Sequence, residues 1–200
     1  MTLTSLKPLF LQTLRTPGDA AVAVMAMGLP VQALWMTLTL VSILSSLSMS
    51  ALFQVAPMPE GEMGALVQGS PANEAPLVFA IMQWARVVLS VFVIYWVGRA
   101  LGGRGTLGDV LAVLTWLQVV TFVLLAGVFI LGFALPLLSS LAMMAMFVWW
   151  LWAVVSFIDV AHGFGNPFKA AAVLVISVLG TLIGLGFVFG VIASVVMGVS

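Results

Sequence analysis

Long runs of apolar residues, separated by short polar stretches, dominate the chain. A membrane-spanning helix needs about 20 apolar residues, because its rise of about 1.5 Å per residue must cover a hydrocarbon core about 30 Å thick. The run from 108 to 160 is too long for one span, and Pro136, shortly after Gly132, divides it because proline cannot continue a helix. We therefore predict five transmembrane helices, at about 30–52, 77–101, 108–131, 136–160 and 168–197.

The residues before the first span show a helical mixture of polar and apolar side chains. Thr16 is expected to be the N-cap of a helix opened by Pro17, with Asp19 near its positive end. We predict two short helices here, 3–15 and 17–28, lying along the membrane interface.

The predicted fold class is therefore all-α: a polytopic membrane protein with five transmembrane helices and short amphipathic N-terminal helices. Residues 1–29 form the amphipathic interfacial segment, and residues 30–200 form one structural unit, the five-span membrane domain. The connection 53–76 is rich in proline, glycine and glutamate, so it is expected to be irregular and exposed.

Composition excludes several function classes. The chain is 64% hydrophobic and 6% charged, whereas soluble domains are about 25% charged, so its main solvent is lipid. It has no cysteine, which excludes disulfides and thiolate chemistry, and its few basic residues form no nucleic-acid-binding patch. We expect no cleaved signal peptide, because the N-terminal apolar stretch continues directly into a further apolar segment.

The basic residues orient the predicted bundle. They lie before the first span, between the second and third, and between the fourth and fifth, while the other connections carry none. Basic residues mark the cytoplasmic side. We predict a bacterial inner-membrane protein with a cytoplasmic N-terminus and an outside C-terminus. The orienting residues are Lys7, Arg15, Arg99, Arg104 and Lys169.

The stretch GGRGTLGD, 102–109, has the glycine spacing of a dinucleotide-binding loop from Gly103 to Gly108. Such a loop needs a preceding strand and an acidic residue about 20 positions further on. Here predicted spans flank the stretch, and FILGFAL stands where the acidic residue belongs. We predict a tight cytoplasmic turn without nucleotide or other cofactor, with Gly102 or Gly103 ending one helix and Thr106 capping the next.

Three stretches resemble the Yip membrane-domain family. One contains a turn of glycine and basic residues at the start of a span. Another contains a Trp-rich span that ends in a His-Gly turn and is followed by a helix that begins with Lys-Ala. The third is an N-terminal segment. The resemblance covers nearly the whole chain and implies a bacterial-type, multi-pass protein of five spans. The stretches are GRALGGRGTLGDVLAVLTW at 98–116, FVWWLWAVVSFIDVAHGFGNPFKAAAVLVIS at 147–177 and LFLQTLRTPGDAAVAVM at 9–25.

Eukaryotic members of that family attach to small Rab-type GTPases through a long polar N-terminal region. The N-terminal segment here is short and amphipathic, so GTPase binding is not carried over. No catalytic motif and no paired carboxylates lie on one membrane face, so we do not expect an enzyme. We expect a non-catalytic protein that organises membrane or membrane-protein contacts, with the lipid bilayer and other membrane proteins as partners.

One charge lies well inside a predicted span. Arg86 shares a helix face with Gln83 and Ser90, Thr115 and Gln118 form a similar pair on the third span, and we expect the two faces to meet. We predict that Arg86 is buried and hydrogen-bonded to Gln118 or to backbone carbonyls, with Gln83 and Ser90 as further acceptors. The alternative is a binding site or polar path for a lipid headgroup or small solute, as in a small transporter or permease component. A further polar stripe on the first span comprises Gln32, Thr39, Ser46 and Ser50.

Two other groups on the fourth span contain residues with functional chemistry. Asp159 and His162 are too few ligands for a metal site, so we expect polar helix-end residues at the interface, with Gly163 ending the helix. A tryptophan group is expected to pack against neighbouring helices, with contact to a lipid-like ligand as the alternative. It comprises Trp149, Trp150 and Trp152.

The fifth span contains two small-residue pairs, Gly180-x-x-x-Gly184 and Gly186-x-x-x-Gly190. Glycines four apart let helices approach closely, and the two pairs point in different directions around the helix. We expect contacts within the bundle, with a homo-oligomer through one of the two faces as the alternative.

Overall fold

Helices account for all the regular structure in residues 3–55 and 61–198, which are the residues that the computed structural model describes. Apolar runs form helices because a helix satisfies its own backbone hydrogen bonds without help from water. The helices are α1 (Leu3–Arg15), α2 (Pro17–Ala26), α3 (Val31–Val55), α4 (Glu62–Gln68), α5 (Pro71–Glu74), α6 (Pro76–Ala100), α7 (Leu107–Ala134), α8 (Pro136–His162) and α9 (Pro167–Gly198).

Five of these helices, α3 and α6 to α9, are long and apolar enough to cross a membrane, which confirms the five predicted spans. Most ends lie within a few residues of the prediction. The largest differences are three residues: α3 ends at Val55, and α7 continues through Gly132 to Ala134. The break comes at Leu135, which has φ −140° and ψ 78° before Pro136, because the residue preceding a proline is sterically excluded from the helical region.

The long helices form one bundle. Helices α7 and α8 pack side by side as a hairpin, α3 packs against α6 and α7, and α9 packs against α6 and α8. Each of the five contributes a fully buried apolar side chain to one shared core. These side chains are Leu38, Val91, Leu111, Phe157 and Val173.

The two predicted N-terminal helices are present, and they are tied to the bundle. Helix α2 is apolar rather than amphipathic, and it buries Ala20 and Val24 against α7 and α8. In α1 the fully buried Thr13 accepts a hydrogen bond from Trp116 Nε1 at 2.8 Å. Thr16 stands at the predicted N-cap position of α2 but makes no capping hydrogen bond with its side chain.

The connection after the first span is more ordered than predicted. It contains the short helices α4 and α5, so the expectation of an irregular segment is wrong for these residues. Pro71 opens α5, and Ala72 is buried where α5 packs on α3 and α6. Residues 56–60 of the same connection lie outside the described residues.

Candidate functional site

Arg86 lies near the middle of α6, about 15 Å from its start and about 21 Å from its end at about 1.5 Å per residue. Its Nε donates a hydrogen bond to Gln83 Oε1 at 2.9 Å, and Ser90 Oγ donates to the Arg86 carbonyl at 2.8 Å. Gln83 and Arg86 are therefore in side-chain contact one turn apart, and Ser90 lies one turn further along the same helix.

The predicted hydrogen bond from Arg86 to Gln118 or to a backbone carbonyl is wrong, whereas Gln83, expected as a further acceptor, is the acceptor found. Its hydrogen-bond acceptor is Gln83, one turn away on the same helix, rather than Gln118 or a backbone carbonyl. The Arg86 side chain is exposed, because two cavities between the helices meet at it. A neighbour three positions away on a helix is within easy reach of a long side chain, whereas Gln118 belongs to the facing helix across the cavities.

The first cavity, here called the turn-side cavity, has a volume of about 190 Å³ and lies between α6, α7, α8 and α9. Its walls extend from Arg86 toward the end of the bundle that contains the glycine turn 102–106. They are mostly apolar, with Ser90, Gln118, Ser177 and Thr181 as polar members.

The second cavity, here called the far-side cavity, has a volume of about 480 Å³ and lies between α3, α6, α7 and α8 in the opposite half of the bundle. Aromatic and aliphatic side chains form one part of its wall, and α3 adds a row of serines. These serines are Ser42, Ser45, Ser46 and Ser48.

The two cavities share four wall residues at the middle of the bundle. Three are members of the facing helices α6 and α7, and the fourth is a tryptophan of α8. They are Arg86, Val87, Gln118 and Trp150. Arg86 and Gln118 therefore line one space, as the predicted meeting of the two polar faces requires.

Not every predicted polar residue lines the cavities. Thr115 is buried in the core, its hydroxyl has no hydrogen-bond partner among the described residues, and it lines neither cavity. Of the stripe predicted on the first span, Ser46 lines the far-side cavity, whereas Thr39 accepts a hydrogen bond from Trp84 at 3.0 Å. Ser177 and Thr181 were missed in the sequence, although their spacing of four on an apolar helix is a signal that could have identified them.

The turn 102–109 has the geometry predicted for a helix connection. Gly102 has φ 88° at the end of α6, and Thr106 and Asp109 form a reciprocal capping box at the start of α7. A side chain at Gly105 would overlap the Ala161 carbonyl of α8. The glycines therefore allow this turn to approach the end of α8, where Arg104 N donates to the His162 carbonyl at 2.9 Å.

His162 is 1% exposed, so its expected position at the membrane interface is wrong. The ring is enclosed by Gly98, Gly103 and the stacked ring of Phe164, and its Nδ1 lies 3.1 Å from the Ile158 carbonyl. The turn covers the ring because its glycines leave space for it.

Asp159 has a structural hydrogen bond at the same helix end. Its Oδ1 accepts from Asn166 N at 2.9 Å, and Gly163 ends α8 in the left-handed region at φ 63°, as predicted. No cluster of three or more potential metal ligands occurs within the described ranges 3–55 and 61–198.

The tryptophans of α8 have different surroundings. Trp149 and Trp150 pack against the core as predicted, and Trp150 lines both cavities. Trp152, at 49% exposed, faces away from the bundle.

The glycines of α9 differ by face. A methyl group at Gly180 would lie 3.6 Å from Val93, and one at Gly184 would lie 3.8 Å from Leu89, so this pair packs on α6. Among the described residues, and apart from the backbone of α9 itself, no atom lies within 4 Å of the same position at Gly186. The surroundings of Gly190 lie outside the described residues.

Comparison with known proteins identifies one relationship. A family model described as Yip1 domain matches residues 11–197, which is nearly the whole chain. No curated protein and no solved structure matches it.

Proposed function

The chain belongs to the Yip1 domain family, and from this premise we propose that it acts without catalysis, by holding a lipid-like molecule in the cavities that meet at Arg86. In this proposal, the protein organises membrane contacts by holding such a molecule. The observation that carries it is the pair of cavities with a shared wall at the middle of the bundle.

The walls suit an amphiphile. Valine, leucine and isoleucine side chains form most of the turn-side cavity, which contains a few polar groups, whereas the far-side cavity combines three phenylalanines and other apolar side chains with eight polar residues. Binding sites for small molecules are commonly apolar with a few convergent polar groups of this kind. The described carboxylates of Asp109 and Asp159 are hydrogen-bonded at helix ends, which supports a structural role for them.

The arrangement of the two cavities favours a second candidate, a small permease component. One cavity occupies each half of the bundle, and Arg86, Val87, Gln118 and Trp150 separate them. A solute that entered one half would need only a local rearrangement of these residues to reach the other.

Cavity filling tests the proposal. Val87→Trp introduces a large side chain into the shared wall, and Val78→Trp places the same side chain on the exposed surface of the same helix. We expect the parent protein and Val78→Trp to retain lipid through detergent purification and Val87→Trp to lose most of it, as measured by mass spectrometry of the retained lipid. Ser48→Trp fills the far-side cavity from an exposed position and provides a second filling variant.

The same preparations separate the two candidates. The protein is reconstituted into vesicles that contain a fluorescent phospholipid. If it is a permease component, it should accelerate transfer of that lipid between leaflets, and Val87→Trp should abolish the acceleration. Retention of lipid without transfer supports the holding role. Equal lipid content in the parent and both filling variants, all with cooperative melting, contradicts the proposed function.

A further inference from the structure

The charge of Arg86 has no compensating carboxylate. Among the described residues that line the two cavities, none is acidic. The single hydrogen bond that the Arg86 side chain makes to the described residues uses Nε and leaves the four N–H groups of the guanidinium tip available. A cation in an apolar membrane interior requires a partner, so the missing negative charge is expected to come from a ligand.

Hydroxyl groups in the turn-side cavity provide further donors. Ser177 is 2% exposed and Thr181 5% exposed, and neither hydroxyl has a hydrogen-bond partner among the described residues. Some helical hydroxyls donate to the carbonyl four residues earlier, as those of Ser90 and Ser156 do, whereas others, such as that of Thr115, also lack a partner among the described residues. The two unpaired hydroxyls lie one turn apart on α9 and face the same cavity as Arg86.

Close packing of α9 on α6 brings these groups to one space. Gly180 and Gly184 present no side chain toward Val93 and Leu89, so the two backbones lie near each other. Arg86 of α6 and the two hydroxyls of α9 therefore line one cavity of about 190 Å³, with Arg86 at its mid-bundle end and the hydroxyls nearer the glycine turn. This volume is several times the roughly 30 Å³ that a water molecule occupies in liquid water, so the cavity is large enough for a phosphate group.

We propose that Arg86, Ser177 and Thr181 form a binding site for an oxyanion, such as the phosphate of a lipid headgroup, inside the bundle. The planar guanidinium suits two oxygens of a phosphate or carboxylate, and the hydroxyls, which lie nearer the glycine turn, are placed to donate to other oxygens of the same headgroup. The proposal rests on the proposed lipid-holding function and adds the charge class of the ligand. An anionic headgroup and free inorganic phosphate share this chemistry.

Lipid selectivity tests the site. The full chain in detergent is titrated with phosphatidylglycerol or with phosphatidylcholine of the same acyl chains, and bound lipid is measured by native mass spectrometry. We expect the parent to prefer phosphatidylglycerol by about tenfold, which corresponds to one charge-assisted interaction. Arg86→Met should remove this preference, and Ser177→Ala combined with Thr181→Val should reduce it several-fold.

The matched control is Arg99→Met, which removes an exposed arginine from the end of the same helix. It should leave the preference unchanged, whereas Arg86→Lys should retain part of it because lysine keeps the charge but not the planar donor geometry. Displacement of bound phosphatidylglycerol by millimolar inorganic phosphate supports a site for the free anion. Absence of displacement, with the preference intact, supports the headgroup.

Three results overturn the inference. One is an unchanged preference in Arg86→Met, and another is an equal loss in Arg86→Met and Arg99→Met, which indicates surface attraction. In both cases, the proposed function stands if Val87→Trp still removes the bound lipid. The third is the absence of retained lipid from the parent protein, which overturns the site and the proposed function together.

Discussion

Gly98 on α6 lies directly against the imidazole ring of His162 on α8. A methyl group at Gly98 would overlap the ring, and one at Gly103 would lie 2.7 Å from His162 Cδ2, so both glycines are needed for the ring to occupy this space. The contact joins the last turn of α6, the glycine turn and the end of α8.

Gly98→Ala should therefore destabilise the protein by about 1–3 kcal/mol, the usual cost of overpacking a filled core. The ring cannot move far, since Phe164 stacks on it at 5.3 Å and its Nδ1 interacts with the Ile158 carbonyl. Thermal unfolding in detergent measures the effect. Gly108→Ala is the control, because its methyl would meet only Thr106 Oγ1 at 3.6 Å, an ordinary contact. Equal melting temperatures for the two variants would mean that the His162 contact is not restrictive.

Close packing between α9 and α6 provides the second prediction. Gly184→Leu places a large side chain against Leu89 and should lower stability by about 1–3 kcal/mol as the helices are forced apart. The control Gly186→Leu is on the same helix, at a position where no described residue of another helix lies within 4 Å. It should change melting in detergent little. A larger loss in Gly186→Leu than in Gly184→Leu would point instead to an interface on that face, such as one with a second copy of the chain.

Orientation is the third prediction. The distribution of basic residues predicts that the glycine turn is cytoplasmic and that the α4–α5 connection is outside. A cysteine at Gln68, which is exposed in α4, should react in intact bacterial cells with a membrane-impermeant thiol reagent, and a cysteine at Leu101 should react only after lysis. The chain has no cysteine of its own, so the background is low. Labelling of Leu101→Cys from outside would reverse the orientation.

The sequence alone determined the five long helices and the two N-terminal helices of this protein, although not the short α4 and α5. Apolar runs about 20 residues long are sufficient to predict spans, because in lipid each helix satisfies its backbone within one segment and needs no information from its neighbours. Local signals also located the ends: Pro136 separates α7 from α8, Gly163 ends α8, and Thr106 with Asp109 opens α7. The shared face of Gln83, Arg86 and Ser90 follows from the helical repeat in the same way.

The tertiary structure decided what these faces meet. Arg86 bonds to Gln83 and borders two cavities, while Thr115, predicted to join it, is buried elsewhere in the core. His162 was expected at the interface because polar residues at helix ends usually lie there, yet a turn distant in sequence covers its ring. Burial, cavities and the pairing of polar groups depend on the rotation and separation of neighbouring helices. The rotation and separation of the helices result from side-chain packing between segments far apart in the chain. The periodicity of a single helix does not predict that packing.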